Sequence, residues 1–206
     1  MSGGDAKRRG GRGARPEAPP GTVRAFFAVF PPPDVESALA DYVATLRREL
    51  RDVAWVKSGN LHLTLRFLGD VTPPQVEAAG KALDAATAGR PGFEVCLKDV
   101  GAFPSMQQPR VVWLGVEAGR GPLVDLAAGL EARLADAGLG RADKPFAAHL
   151  TVGRVREYLP PAALPALLQR HPCPGFRFRA ASVALIRSQL QAGGSVYTPI
   201  REVRLA

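Results

Sequence analysis

The chain repeats one short pattern. His62-Leu63-Thr64-Leu65 and His149-Leu150-Thr151-Val152 each read His, apolar, Thr, apolar, and they lie 87 residues apart. With three histidines and seven threonines in 206 residues, two of the three histidines acquire a Thr two places on by chance in about a few chains per thousand. Each segment alternates polar and apolar residues, as a half-buried strand does. A fold that accommodates both needs two similar halves, each with a strand that sends its apolar face into a core. The opposite face then carries an imidazole beside a hydroxyl. Two such pairs suit proton transfer around a phosphoryl group.

The segments around the two strands follow a related order. Val23–Phe30 is an apolar and aromatic run that ends at Pro31-Pro32-Pro33. Asp34 is in position to cap a helix to about Arg51, with Val35, Leu39, Tyr42, Val43, Leu46 and Leu50 on one face. Val53–Val56 reads as a short strand, and a turn at Lys57-Ser58-Gly59-Asn60 precedes the first histidine strand, Leu61–Leu68. Pro73-Pro74 opens a helix to about Ala88. Strands are then expected at Phe93–Phe103 and Val111–Val116, and a helix over Leu123–Ala137 that Gly138 ends. The second histidine strand, about Ala148–Val155, is followed by a helix near Ala162–Gln169 and by strands at Phe176–Ile186 and Val196–Val203. The chain therefore reads as α+β, with two pseudo-symmetric lobes whose antiparallel or mixed sheets face a central cleft and whose helices lie outside. No glycine-rich phosphate loop follows the first strand, which argues against a Rossmann sheet.

Residues 1–21 are rich in Gly, Pro and Arg with almost no bulky apolar residue, and a disordered basic tail is expected there. Residues 22–206 form the single bilobal domain. The net charge is +8; the tail's Lys7, Arg8, Arg9, Arg12 and Arg15 outweigh Asp5 and Glu17, and more than half of the excess lies in the remaining chain. A balance of this kind favours polyanions or phosphorylated substrates, or serves only to keep the surface solvated. No apolar run is long enough to span a bilayer, and no apolar leader opens the chain, so no membrane association is expected. Cys96 and Cys173 are too few for a disulfide framework and are expected reduced, in the cytoplasm.

Strand alternation puts His62, Thr64 and Arg66 on one side and Leu61, Leu63, Leu65 and Phe67 on the other. The same parity joins His149 to Thr151, with Leu150 and Val152 behind them. A single histidine on a strand is ordinarily packed with a satisfied hydrogen bond, and it is the doubling that lifts this pair out of that class. Zinc would want three or four ligands, and neither segment has another His, Cys, Asp or Glu close by on the same face. His171, in a Pro-rich loop, reads as structural. No metal and no cofactor are expected.

The constellation resembles the two-histidine phosphoesterase superfamily, with its paired H-x-T-x motifs on pseudo-symmetric lobes. Within it, the chain is similar to the bacterial and archaeal RNA 2′,3′-cyclic phosphodiesterases, historically called 2′-5′ RNA ligases. The likeness runs from about Arg24 to Leu205. Its markers are Arg24-Ala25-Phe26-Phe27-Ala28-Val29, Asn60 to Leu65 continuing to Phe67-Leu68-Gly69, and Arg110 to Gly115. Pro145-Phe146 before the second motif and Tyr197-Thr198-Pro199 near the end complete it.

The resemblance implies metal-independent hydrolysis of RNA 2′,3′-cyclic phosphate ends to 2′-phosphates, with reversible 2′-5′ RNA ligation as a further capacity. It implies His149 as the proton acceptor, His62 as the proton donor to the 3′-oxygen, and Thr64 and Thr151 as donors to the non-bridging oxygens. It also implies Arg154 as a phosphate contact. Strict alternation turns Arg154 away from His149, so the strand must bulge or end there, and Gly153 makes that feasible. Arg66 has the right parity for an anion contact, but the family pattern gives it no role and a surface arginine is the plainer reading. With ordinary histidine pKa values near 6.5, the pair would give a bell-shaped pH profile around neutrality. Phe26, Phe27 and Trp113 have the chemistry to stack a base but are expected in the core. The alternatives are a phosphodiesterase acting on a small cyclic phosphate, of nucleotide or ADP-ribose type, and a non-catalytic RNA-binding module. The expected partner is RNA with cyclic phosphate termini, and the expected state a monomer.

Overall fold

Alternate residues of the first strand, β1 (Val23–Val29), enter different layers. In the computed structural model, which describes residues 19–206, Ala25, Phe27 and Val29 join the main core while Phe26 and Ala28 face the other way. Of the expected 1–21 tail, residues 1–18 lie outside the described residues. The helix after β1, α1 (Pro33–Glu49), has Pro32 as its N-cap, two residues before the expected Asp34 cap. Pro33 at the first helical position has no N–H to waste, and Asp34 and Glu36 then oppose the helix dipole from the first turn. Leu39, Tyr42, Val43 and Leu46 are its buried stripe.

The chain continues through β2 (Val53–Trp55), β3 (Leu63–Val71), α2 (Pro73–Thr87), β4 (Phe93–Pro104), β5 (Pro109–Ala118), α3 (Arg120–Asp136), β6 (His149–Val155), α4 (Ala163–Arg170), β7 (Phe176–Ala180), β8 (Ser182–Gln191) and β9 (Gly194–Arg204). The Gln75 side chain turns back to accept from the Thr72 N–H at 2.9 Å, which fixes the start of α2. Gly138, at φ 75°, takes the left-handed turn after α3, and Leu139 N–H bonds back to Leu134 O.

All paired strands run antiparallel. Their order is β7-β4-β5-β6-β3-β1-β8-β9, with β2 beside β6. The two lobes are the halves of this one sheet, β7-β4-β5-β6 and β3-β1-β8-β9. They meet at a single residue pair, Leu63 opposite Leu150. The helices lie against one side of the sheet, where the main core forms. Sequence halves and lobes do not coincide. Helix α1 packs on β2 and β7 of the second lobe, and α3 on β3 of the first. The run Phe176–Ile186, expected as one strand, divides at Ala181: β7 pairs with β4 in one lobe, and β8 with β1 in the other. Both pieces carry buried apolar residues and neither Gly nor Pro marks the crossing, so periodicity alone reads straight through it.

Three bulges interrupt the central strands. On β3, Ala28 pairs with Thr64, Phe27 with Arg66, Phe26 with Phe67 and Ala25 with Gly69, so Leu65 and Leu68 are each left without a partner on β1. On β6, Trp113 pairs with Thr151 but Val112 with Gly153, which leaves Val152 extra. Each bulge reverses the side on which the following residues emerge. A Cβ on Gly153 would come within 2.6 Å of Val53 Cγ1 and 2.9 Å of Trp55 Cε3, so β2 seals against β6 only because this residue is glycine. Gly153→Ala is expected to cost about 1–3 kcal/mol by overpacking. Urea unfolding checks this, and an unchanged midpoint would contradict it.

Candidate active site

Leu63 and Leu150 are both fully buried on the helical side of the sheet. The residues flanking each of them therefore emerge on the opposite, cleft side. Antiparallel register sets His62 toward Thr151 and Thr64 toward His149 around that pair. His62, Thr64, His149, Thr151 and Arg154 all line one cavity of about 770 Å³. The bulge at Val152 is what brings Arg154 back to the His149 side, where it pairs with Val111, another residue of the cavity wall.

Each imidazole is held in the same manner. His62 Nδ1 lies 2.8 Å from Asn60 O, and His149 Nδ1 lies 2.7 Å from Ala147 O. A carbonyl oxygen only accepts, so Nδ1 must carry a proton in both rings. That tautomer leaves Nε2 with a free lone pair, or with a second proton to give when the ring is charged.

Aromatic side chains enclose both rings. Phe26 at 4.9 Å, Phe30 at 5.4 Å and Tyr197 edge-on at 5.3 Å surround His62. Phe103 at 5.2 Å and Trp113 at 6.2 Å, both edge-on, flank His149. Burial is the dominant effect on each pKa, because a charged imidazolium loses its hydration there. It pushes His62 down to about 4 against the pull of its Asn60 hydrogen bond. His149 is lowered too, by burial first and also by the Arg154 cation, while its Ala147 hydrogen bond opposes the shift. Burial therefore disfavours the charged form of both rings, and a profile centred on neutrality no longer follows.

The bulge at Leu65 corrects the expected parity of β3. Arg66 still lines the cavity, but its guanidinium is held at the rim. There Nε binds Glu131 Oε2 on α3 at 2.8 Å, and Nη1 donates to Phe67 O at 2.6 Å. Glu131 Oε1 in turn accepts from Ala142 N–H at 2.6 Å, so this ion pair holds the 139–148 segment that leads into His149. Phe67 takes a cleft position and is 49% exposed. Phe27 is core as expected. Phe26 backs His62 and is only 1% exposed, so no base reaches its face. Trp113 lies on the cleft side, with its ring over Gly101.

Several wall residues escaped sequence reasoning. Phe67 and Phe103 are the exposed aromatics of the cavity, and Asn60, Arg141, Lys144 and Tyr197 line it as well. Asn60 and Tyr197 stood in the motif segments, but nothing in their spacing signalled the cleft. His171 is remote from it, bound to Glu49 and accepting the Tyr42 hydroxyl through its carbonyl. Among the described residues no three His, Cys, Asp or Glu side chains gather as metal ligands would.

The internal repeat has a counterpart in other proteins. The family model for LigT-like phosphoesterases matches the chain twice, over residues 29–113 and again over 114–197. An RNA 2′,3′-cyclic phosphodiesterase of Archaeoglobus fulgidus is 35% identical over 183 residues, covering 87% of this chain and 98% of that protein. One of Methanothermobacter thermautotrophicus is 32% identical over 188 residues, covering 89% and 99%. Among solved structures, Escherichia coli LigT complexed with 3′-AMP superposes with a TM-score of 0.71 at 27% identity, covering 89% of this chain and 98% of that one. Each match carries one histidine strand, and together they take in both lobes of the sheet. The chain belongs to the family of LigT-like phosphoesterases.

Proposed function

We propose that this chain is an RNA 2′,3′-cyclic phosphodiesterase in which His62 and His149 divide the proton work. The observation that carries this is the convergence of both imidazoles, two Thr residues and Arg154 on one cavity, each imidazole with Nε2 left for a ligand. The family membership and the names of the relatives support the same activity.

In the proposed mechanism, His149 Nε2 takes a proton from water as its oxygen bonds to phosphorus. The bond from phosphorus to the 3′-oxygen breaks, and His62 Nε2 gives that oxygen its proton. The product is a 2′-phosphate. Thr64 and Thr151 donate to the non-bridging oxygens as their charge grows, and Arg154 neutralises the phosphate. Burial lowers both rings and pushes His62 to about 4, so the proton that His62 donates has to be stabilised there by the bound phosphate. The substrate's own negative charge favours the protonated state of a ring beside it. An RNA 5′-hydroxyl in place of water makes the same steps a reversible 2′-5′ ligation. Both proton transfers are supplied by side chains, so the reaction calls on no metal. One chain contributes the whole set, in keeping with a monomer. No helix of the described residues is long and apolar enough to cross a membrane, and two free cysteines fit the reducing cytoplasm.

His62→Ala and His149→Ala are each expected to lower turnover of a cyclic-phosphate RNA by at least about 100-fold with an unchanged circular dichroism spectrum. A chelator leaves the wild-type rate unchanged. Near-wild-type hydrolysis by either variant, or strict dependence on an added metal, would contradict the mechanism.

The pH dependence of kcat/KM follows from the shifts. Below the lower pKa of the pair both rings are protonated and there is no base; above the higher one both are neutral and there is no acid. The active one-proton state lies between, and the limbs belong to the pair. Because both rings are lowered from 6.5, kcat/KM is expected to peak on the acid side of that value and to fall toward about pH 8. A maximum at alkaline pH would refute the assignment.

A further inference from the structure

A second groove opens from the active site. It encloses about 1030 Å³ and shares Asn60, Arg154 and Tyr197 with the catalytic cavity. Its cationic lining is Arg47, Arg48, Arg51, Lys57, Arg154 and Arg156, and no Asp or Glu lines it. The charge comes from the C-terminal turn of α1, from the segment around β2 and from the end of β6. The nearest acid on α1 is engaged elsewhere, since Glu49 pairs with Arg170 and His171 at the α4 end. Arg47 and Arg51 form no ion pair among the described residues. Trp55, in the groove wall, is tied by its indole N–H to Leu50 O at 2.8 Å.

We propose that this groove is the track for the RNA backbone upstream of the cyclic phosphate, so that the preferred substrate is an oligonucleotide end and not a free cyclic nucleotide. This rests on the cyclic phosphodiesterase reading above. A 2′,3′-cyclic phosphate terminates a strand at its 3′ end, so the rest of the polymer leaves the active site in one direction only, with one phosphate per nucleotide. A groove that begins at Arg154 and continues over guanidinium groups matches that charge pattern. Guanidinium forks bind phosphates bidentately and read no base, so the track is indifferent to sequence. The far side of the catalytic cavity sets Arg141 and Lys144 against Asp143, a smaller cationic excess than the six cations of the groove, which no Asp or Glu lines.

The test uses the full chain, a cyclic mononucleotide and a short RNA ending in a 2′,3′-cyclic phosphate. The double variant Arg47→Gln/Arg51→Gln is expected to raise KM for the RNA about tenfold at moderate salt, with kcat and all mononucleotide parameters unchanged. The slope of log kcat/KM for RNA against log salt should become shallower by about 0.7 for each phosphate that an arginine no longer neutralises. No change on RNA, or equal losses on both substrates, would overturn the track. Fluorescence anisotropy with a labelled RNA ending in a 2′-phosphate separates this from the activity itself. If the wild type hydrolyses neither substrate yet binds this RNA through Arg47 and Arg51, the phosphodiesterase reading fails and the track stands. Binding unaffected by the double variant, or displaced as well by polyglutamate as by RNA, would overturn the track.

Discussion

One antiparallel pair, Leu63 with Leu150, joins the two lobes into a single sheet. Both leucines are buried, each worth roughly 1.5–3 kcal/mol on removal from water. Their burial on the helical side obliges His62, Thr64, His149 and Thr151 to emerge together on the other. A one-residue slip in that register would turn all four toward the core and bring leucines into the cleft. The geometry of the candidate site is thus a consequence of core packing directly behind it. The helices reinforce the junction because they cross over: α1 packs on the second lobe and α3 on the first, so neither lobe is a separate unit.

What the sequence discloses depends on whether a strand keeps its period. The doubled His-x-Thr pattern and the Leu residues between are legible because alternation holds across those four positions in both copies. Gly153 advertises the bulge that returns Arg154 to the cleft, and its missing Cβ makes room for Val53 and Trp55. The bulge at Leu65 leaves no such mark, since neither that residue nor its neighbours is glycine, whereas Gly69, at φ 75°, follows the one at Leu68. The unmarked bulge is why Phe67, read as a core residue by strict alternation, is found in the cleft wall. The break at Ala181 is hidden for the same reason. The Nδ1 tethers to Asn60 and Ala147 are backbone contacts, which no side-chain pattern encodes.

The site joins two electrostatic environments. Phe26, Phe30, Phe103, Trp113 and Tyr197 enclose the imidazoles, and that burial lowers the pKa of both. The groove beyond Arg154 is open and cationic. In the proposed mechanism a phosphate anion bridges the two, since its charge is matched by Arg154 and favours the protonated state of a neighbouring ring. The groove's charges come from residues 47–57 and 154–156, which only the β2–β6 pairing brings together. Charge composition alone does not reveal that surface.

The central claim is that two imidazoles from distant parts of the chain act on one phosphorus atom. A crystal structure with a nucleoside 2′,3′-cyclic vanadate tests it most directly, because vanadium takes the geometry of the phosphorus under attack. Nε2 of His62 and Nε2 of His149 are predicted to lie within hydrogen-bond distance of two different oxygens on the same vanadium. A vanadate held by only one of the imidazoles, or by neither, would contradict the account.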